Sequence, residues 1–334
     1  MATIGDVAEY AGVARSTVSH ALSGKRPVSS ATRERINEAI AVLQFTANAG
    51  AKALATAKTS TMGLIVPYAP DEFAPARMEY ILIVSETARD LGYDVLMVTD
   101  VEGRAGIKRV TESNRVDGLV LMDIKRHDDR VASVLAARQP GVLIGIAEDN
   151  DSVDSVDLDF AEAGRMLVRH LAEQGHRRVI FITFPERLFA QDLGFVWRLR
   201  DSVIAEAARL SVNLTIVYDD ADPAARSKLL GRALDDRSGT TALLVHSERA
   251  LVDLPPLLRE RDITFPGDLS VVSLFGDEFG KMFSLPFTAI DPAPEVVAAR
   301  AVELLVERIA DPTRPVVREL LAPVLIDRGS SRAI

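Results

Sequence analysis

The sequence of 334 residues contains no cysteine. Disulfides, thiol catalysis and metal sites built on sulfur are therefore excluded. The five histidines, at positions 20, 127, 170, 176 and 246, are scattered without metal-ligand spacing, and we expect neither a metal nor another cofactor. The chain also has no charged-then-apolar leader and no apolar run long enough to cross a bilayer, so we expect a cytoplasmic protein with no membrane partner.

The chain has fewer basic than acidic side chains, 39 against 48, so its net charge is −9. Such a balance ordinarily argues against a nucleic-acid partner, which needs a positive surface. The charge is unevenly distributed, however: residues 1–60 carry seven basic and four acidic side chains, a net +3, which leaves −12 on the rest. This asymmetry predicts a small basic module on a large acidic body, whose 48% hydrophobic residues can fill real cores.

The basic end has the pattern of three short helices. Residues 3–11 form the first with Thr3 as N-cap, Ala14 to Leu22 form the second after a break at Gly12, and serine caps open the third. Their expected inward positions are Ile4, Val7, Ala8, Ala11, Val18, Ala21, Leu22, Ile36, Ala39, Ile40 and Leu43. The spacing indicates a helix-turn-helix, the smallest common DNA-reading unit.

Two segments of different composition and hydropathy pattern follow along the chain. Residues 46–60 are alanine-rich with Leu54 as their large apolar residue, which predicts a linker that is helical only when something else orders it. From Thr61 onward, apolar runs alternate with amphipathic stretches, and this predicts doubly wound α/β layers in two sub-domains. The clearest helical stretches are 77–91, 128–138, 161–174, 196–210 and 248–261. In such sheets ligands bind outside the carboxyl ends of the strands.

Several motifs together resemble the lactose-repressor (LacI) family of bacterial transcription regulators. They are "TIGDVAEYAGVARSTVSHALSGKRPVSSATRERINEAI", "NAGAKALATAKTSTMGLIVP", "VDLDFAEAGRMLVRHLAEQGHRRVIFI", "RERDITFPGDLSVVSLF" and "LPFTAIDP". The resemblance implies a two-lobed domain like periplasmic sugar-binding proteins, a homodimer, a palindromic double-stranded operator and a small-molecule effector such as a sugar. The implied divisions are a headpiece at 1–45, a hinge at 46–60 and an effector-binding and dimerisation domain at 61–334. Its N-lobe would comprise about 61–157 and 288–320, and its C-lobe about 158–287 and 321–330.

The resemblance also assigns DNA-contacting positions. Arg15, Ser16 and His20 would read bases, with Arg15 able to bond a guanine edge bidentately. The family usually has arginine where this chain has His20, so the operator is expected to differ there. The implied phosphate contacts are Thr3, Thr17, Ser19, Ser29, Thr32 and Arg33. In the hinge, Leu54 would wedge into the minor groove, with Asn48, Ala51 and Lys52 nearby.

The implied effector residues are carried over less directly. They are Asp159, Trp197, Arg198, Ser247, Glu248, Phe275 and Asp277. For the arginine, counting back from the helix end favours Arg198, whereas the literal "LGF" places Gln191 there. Asp159 could equally cap the following helix, and Trp197 and Phe275 are aromatic residues of a kind that is more often core. Phe275 stands where the family has an aspartate, and Asp277 lies two residues further on.

Other functional classes are less consistent with the sequence. A sugar-binding transport protein would need a secretion signal and would have no use for a headpiece. An enzyme is disfavoured because the chain has no phosphate loop, no G-x-S-x-G and no H-E-x-x-H. A DNA-binding regulator without a small-molecule effector remains the alternative. The sequence leaves open the effector, the operator, the regulated genes, and whether control is induction, co-repression or activation.

Overall fold

The computed structural model describes residues 2–23, 26–45, 58–67, 75–99, 103–148, 150–236 and 239–334. The headpiece contains α1 (Ile4–Tyr10), α2 (Arg15–Ser23) and α3 (Ser30–Val42). A capping box opens α1: the Thr3 side chain accepts from the Asp6 amide, and the Asp6 carboxylate accepts from the Thr3 amide at 2.8 Å. This capping box fixes where α1 begins.

The headpiece core confirms most of the predicted inward positions. Its buried residues are Val7, Ala8, Ala11, Val18, Ile36 and Ala39, and the partly buried residues packed on them include Ile4, Ala21, Ile40 and Leu43. Leu22 is the exception, because its position at the edge of the buried face of α2 leaves it 37% exposed. The prediction that Leu22 points inward was therefore wrong.

The first lobe is built on a parallel sheet with the strand order β11-β5-β4-β3-β1-β2. Its strands are β1 (Thr61–Ile65), β2 (Asp94–Val98), β3 (Gly118–Leu121), β4 (Gly141–Ile144), β5 (Asp154–Leu158) and β11 (Arg318–Leu321). Helices α4 (Pro75–Asp90) and α13 (Pro294–Ala310) cover one face, and α5 (Arg104–Glu112) and α6 (Arg130–Ala136) cover the other. Both faces being covered explains why the strands read as continuous apolar runs.

The second lobe repeats this plan with the strand order β12-β10-β9-β8-β6-β7. Its strands are β6 (Arg178–Thr183), β7 (Asn213–Tyr218), β8 (Ala242–Val245), β9 (Ser270–Leu274), β10 (Thr288–Asp291) and β12 (Val324–Ile326), the last antiparallel to β10. Helices α7 (Phe160–Glu173) and α9 (Gly194–Arg209) cover one face. The other is covered by α10 (Pro223–Asp235), α11 (Glu248–Glu260) and the short α12 (Asp277–Met282), and α8 (Glu186–Ala190) lies beside α9. The predicted doubly wound, two-lobed architecture is confirmed.

One predicted lobe boundary is wrong. The strand β10 was assigned to the N-lobe from residue 288, but it pairs in parallel with β9 in the second sheet. Its consecutive residues Ala289 and Ile290 point to opposite faces and are fully buried in the two cores of the C-lobe. The chain therefore returns to the N-lobe only after Asp291, where α13 begins to pack on the first sheet.

Among the residues that the structure describes, no helix is long and apolar enough to span a membrane. Within the same residues, no cluster of His, Asp and Glu side chains is arranged to hold a metal ion.

Candidate DNA and effector sites

The first candidate site is the exposed face of α2. Val18 is fully buried against the other two helices, which turns Ser16 and His20 on the opposite face outward. Arg15 and Ser16 are exposed and His20 is half-buried. The Arg15 guanidinium lies against Gly5 of α1, where an added methyl would come within 2.6 Å of Nη2. Ser16 and His20 therefore share the outward face of α2, and Arg15 is exposed at the start of the helix beside α1.

Five of the six predicted phosphate-contacting residues lie at helix starts, and Ser19 lies further along α2. Ser29 accepts from the Thr32 amide at 3.3 Å and caps α3, as Thr3 caps α1. Arg33 is exposed in the first turn of α3, and Thr17 and Ser19 are half-buried on α2. Helix starts favour phosphate, because their free amides and dipoles face an anion. The predicted hinge residues Asn48, Ala51, Lys52 and Leu54 lie outside the described residues.

The second candidate site is a cleft between the lobes, at the carboxyl ends of strands from both sheets. The N-lobe contributes Ala76, Arg77, Tyr80, Met122, Asp123, Ile124, Ile144, Gly145 and Asp157 to its lining. The C-lobe and the crossovers contribute Phe160, Phe184, Pro185, Arg187, Leu188, Leu193, Phe195, Arg198, His246, Ser247, Glu248, Arg249, Leu274 and Pro292. This is the position at which doubly wound sheets bind ligands.

Three predicted effector residues, Arg198, Ser247 and Glu248, line this cleft. Arg198 forms a short ion pair with Asp157. The Ser247 hydroxyl donates to the Asp219 carboxylate and accepts from the amide of Ala250, so it also caps α11. Part of its hydrogen-bonding capacity is therefore committed to the fold.

Asp159 and Trp197 are placed elsewhere, against the prediction. Asp159 accepts from the Glu162 amide at 2.8 Å and caps α7, which was the alternative left open by the sequence. The Trp197 indole nitrogen donates to the Phe189 carbonyl at 3.1 Å. Its ring packs between the guanidinium groups of Arg126 and Arg200, which lie 4.2 and 4.1 Å from the ring centroid. Neither side chain is part of the described cleft lining.

Phe275 and Asp277 also lie away from the cleft. Phe275 is 3% exposed and packs on Phe279 in the C-lobe core. Asp277 pairs with Lys281 at 2.9 Å and with Arg328 at 3.2 Å. Core packing and surface ion pairs thus account for the two residues, as they commonly do for such side chains.

Asp157 holds the position in the cleft that the sequence assigned to Asp159. Both belong to "VDLDF", and residues two apart at the end of a strand share a face. The same motif could therefore have indicated Asp157. Its side chain is 8% exposed, and burial raises its pKa to about 6, although Arg198 acts in the opposite direction. The pair places a carboxylate with a guanidinium at the floor of the cleft.

An aromatic wall faces this pair from the C-lobe. Phe184 packs edge-on against His246 with ring centroids 4.6 Å apart, and Phe195 lies 6.0 Å from Phe184 and 5.4 Å from Phe160. Burial lowers the pKa of His246 to about 3, so the imidazole is neutral at physiological pH. The wall therefore offers an apolar surface, suited to a flat or ring-shaped ligand.

The lobes also contact each other directly beside the cleft. The Gly194 amide donates to the Ile124 carbonyl at 2.9 Å, and the Arg126 amide donates to the Asp192 carbonyl at 2.9 Å. The Arg126 guanidinium pairs with the Asp192 carboxylate at 2.7 Å. These bonds would break or move if the lobes opened, so they belong to one particular lobe arrangement.

A second lobe contact involves Glu79 on α4 and Gly276 before α12. A methyl on Gly276 would come within 3.2 Å of Glu79 Oε2, and Glu79 Oε1 is buried without a hydrogen-bond partner. Burial, together with the smaller effects of the carboxylates of Glu295, Asp291, Glu278 and Asp277, raises the pKa of Glu79 to about 7. This contact therefore accommodates a neutral carboxyl group better than a charged one.

Glu79→Gln is expected to make stability less dependent on pH. A carboxyl group whose pKa is raised in the folded state contributes stability that is present below its unfolded pKa and lost as the pH rises through about 7. The variant should therefore melt higher than wild type at pH 8.5 and nearly the same at pH 5, measured by thermal unfolding across that range. Glu86→Gln is the control, since Glu86 is an exposed glutamate of the same helix and is not among the carboxylates that act on Glu79. Parallel pH profiles for wild type and Glu79→Gln would contradict the assignment.

Three family models match the segments of the chain that contain the two candidate sites. The family model described as "Bacterial regulatory proteins, lacI family" matches residues 3–48. The model "Periplasmic binding proteins and sugar binding domain of LacI family" matches residues 59–190, and "Periplasmic binding protein-like domain" matches residues 168–331. Together the three matches cover the headpiece and both lobes, and residues 49–58 of the hinge lie between the first two.

Individual relatives extend over almost the whole chain. The HTH-type transcriptional repressor PurR of Aliivibrio fischeri strain MJ11 is 30% identical over 319 residues, 93% of each chain. A transcriptional regulator CelR–cellobiose complex is 26% identical, with a TM-score of 0.67, over 99% of this chain and 100% of that one. The lac repressor dimer bound to operator and the anti-inducer ONPF is 21% identical, with a TM-score of 0.83 over 99% of each chain, and shows the shared fold.

Proposed function

This chain belongs to the lacI family of bacterial regulatory proteins, and we propose that it acts as a dimeric repressor of a metabolic operon under the control of a small-molecule effector. The observation that carries the proposal is the union, in one chain, of a helix-turn-helix with exposed Arg15 and a ligand-sized cleft between two lobes. The chain is a DNA-binding regulator and not an enzyme. Because operator DNA lies in the bacterial cytoplasm, we place the protein there.

We assign sequence reading to Arg15, Ser16 and His20 on α2. Inserted into the major groove, Arg15 can bond the O6 and N7 atoms of guanine, and Ser16 tolerates several bases. His20 is shorter than the arginine usual in the family, so we expect a different base preference at its contact. The phosphate positions around α1, α2 and α3 would set the register on the duplex without reading bases.

The hinge would complete the DNA complex. Two Leu54 side chains from a dimer would enter the central minor-groove step, flanked by Asn48, Ala51 and Lys52, and bend the operator. The relative solved with operator is a dimer, and a palindrome requires the same two-fold symmetry.

The effector would act through the lobes. Cleft residues Arg77, Asp123 and Asp157 come from the N-lobe, while Arg198 comes from α9 of the C-lobe, so a ligand touching both sets favours one lobe arrangement. Ligand and operator affinities must then be coupled reciprocally, typically by about 1–3 kcal/mol. The relative solved with cellobiose binds a sugar, and we propose a small molecule such as a sugar derivative for this cleft.

Arg15→Ala tests the DNA-reading assignment. A palindrome selected by the wild-type protein from random duplexes should lose about 1–3 kcal/mol of preference over random DNA, because one bidentate base contact is removed. Weak, salt-dependent binding should persist. The dissociation constants for both duplexes are measured at fixed salt. Arg35→Ala, an exposed arginine of α3, removes the same charge and should leave the ratio unchanged. An unaltered ratio in Arg15→Ala would refute the base-reading role.

A further inference from the structure

Hydrogen-bond donors outnumber free acceptors in the cleft. Its described lining includes four arginines, Arg77, Arg187, Arg198 and Arg249, and none of these lining residues is Asn or Gln. A guanidinium group donates five hydrogen bonds and accepts none. The hydroxyl of Ser247 is already engaged with Asp219. A bound molecule would therefore meet mainly donors.

The charged acceptors in the lining are three carboxylates, and each already has a partner. Asp157 is paired with Arg198, and Asp123 lies 3.1 Å from the Arg77 guanidinium. Glu248 also interacts within the chain. A sugar hydroxyl donates as well as accepts, so each donor of a neutral polyol would have to share a carboxylate that is already engaged, and the polyol would bring no negative charge to the guanidinium donors. The cleft is thus poorly matched to a ligand that presents only hydroxyl groups.

Arg187 differs from the other three arginines. It projects from α8 into the cleft lining, is exposed, and forms no ion pair or side-chain hydrogen bond with any residue that the structure describes. Arg198 Nε, deeper in the cleft, is buried without a hydrogen-bond partner. With His246 neutral, the four arginines outnumber the three lining carboxylates by one charge. Among these four arginines, Arg187 at the rim is the one to which the described residues supply no carboxylate partner.

We propose that the effector is a small organic anion, whose carboxylate or phosphate group is bound by Arg187 while its body packs on the aromatic wall of Phe184 and Phe195. This inference rests on the proposed function and names the chemistry of its ligand. A guanidinium group binds either oxyanion through two parallel hydrogen bonds. Sugar acids, sugar phosphates and aromatic acids share this chemistry, and neutral sugars do not.

Sets of related neutral and anionic compounds test the ligand class on the full-length protein. The sets are glucose, glucuronate and glucose 6-phosphate; ribose and ribose 5-phosphate; glycerol and glycerol 3-phosphate; and benzyl alcohol and benzoate. Each is titrated at constant ionic strength while the melting temperature and the emission of Trp197, the single tryptophan of the chain, are recorded. Trp197 reports on the site because it packs on Phe189 of α8, two residues from Arg187.

We expect at least one anionic probe to raise the melting temperature and change the emission at concentrations where its neutral counterpart does neither. Arg187→Ala should weaken that probe at least about tenfold, the usual effect of losing one charged hydrogen bond. Arg232→Ala, which removes an exposed arginine of α10 outside the cleft, should retain the binding. The carboxylate and phosphate arms distinguish the two kinds of anion.

Three results would overturn the inference: no anion-dependent response in any set, neutral probes binding as well as the anionic ones, or equal affinity in Arg187→Ala and Arg232→Ala. Binding of the selected palindrome separates this failure from failure of the proposed function. If a neutral probe alters operator affinity, the regulator proposal stands and the anion proposal fails. If an anion binds through Arg187 but leaves operator affinity unchanged, the ligand class stands and the proposed coupling fails.

Discussion

Asp154→Ala is expected to lower the free energy of unfolding by about 3–5 kcal/mol, because it leaves buried arginine charge without its partner. The Asp154 carboxylate, at the amino end of β5, is fully buried and accepts two hydrogen bonds of 2.9 Å from Arg308 of α13. It also accepts from the Val317 amide at 2.7 Å, and Arg314 lies 3.5 Å away. One carboxylate therefore joins the end of α13 and the entry to β11 to the first sheet.

The measurement is equilibrium denaturant unfolding followed by circular dichroism, with the dimer concentration held fixed. Asp151→Ala is the matched control, since Asp151 pairs with Arg318 of β11 but is 89% exposed at its side chain. An exposed pair contributes about 0–1 kcal/mol. A loss of the same size in both variants would show that burial of the Asp154 network does not set its contribution.

The elements of the fold were largely predictable from local pattern. The stretch predicted as a helix at 161–174 is Phe160–Glu173, and the one at 196–210 is Gly194–Arg209. Amphipathic helices of this length carry their periodicity in adjacent turns, so the signal survives without tertiary information. The strand β10 was harder, because which sheet it joins depends on its partner β9 and not on its own residues.

The cleft was only partly predictable. Arg198, Ser247 and Glu248 lie in the lining, as the motif positions carried over from the family predicted, whereas Asp157 was missed because the sequence does not show that Asp159 serves as a helix cap. Arg77 and Arg187 had no local signal. They enter the lining from helices more than 100 residues apart, and only the packing of two lobes brings them to one site.

Arg198→Ala is expected to destabilise the protein by about 3 kcal/mol or more at pH 8, because it leaves Asp157 buried without its counter-charge. Burial already raises the pKa of Asp157 to about 6 in the presence of Arg198, so losing that guanidinium should raise it further. A carboxyl group with a raised folded pKa contributes stability that is present below its unfolded value of about 3.9 and lost as the pH rises through the folded one. The wild-type loss thus falls between about pH 4 and 6, and the variant should continue to lose stability above pH 7.

Thermal and denaturant unfolding from pH 5 to pH 8 should therefore show a gap between Arg198→Ala and wild type that widens with pH. The double variant Asp157→Asn with Arg198→Met separates charge from packing, because it removes both charges and keeps apolar bulk in place of the arginine stem. It should recover most of the stability at pH 8 and lose the pH dependence. If the double variant is as unstable as Arg198→Ala at pH 8, the arginine acts there through packing on Phe160, and the buried carboxylate does not set the cost.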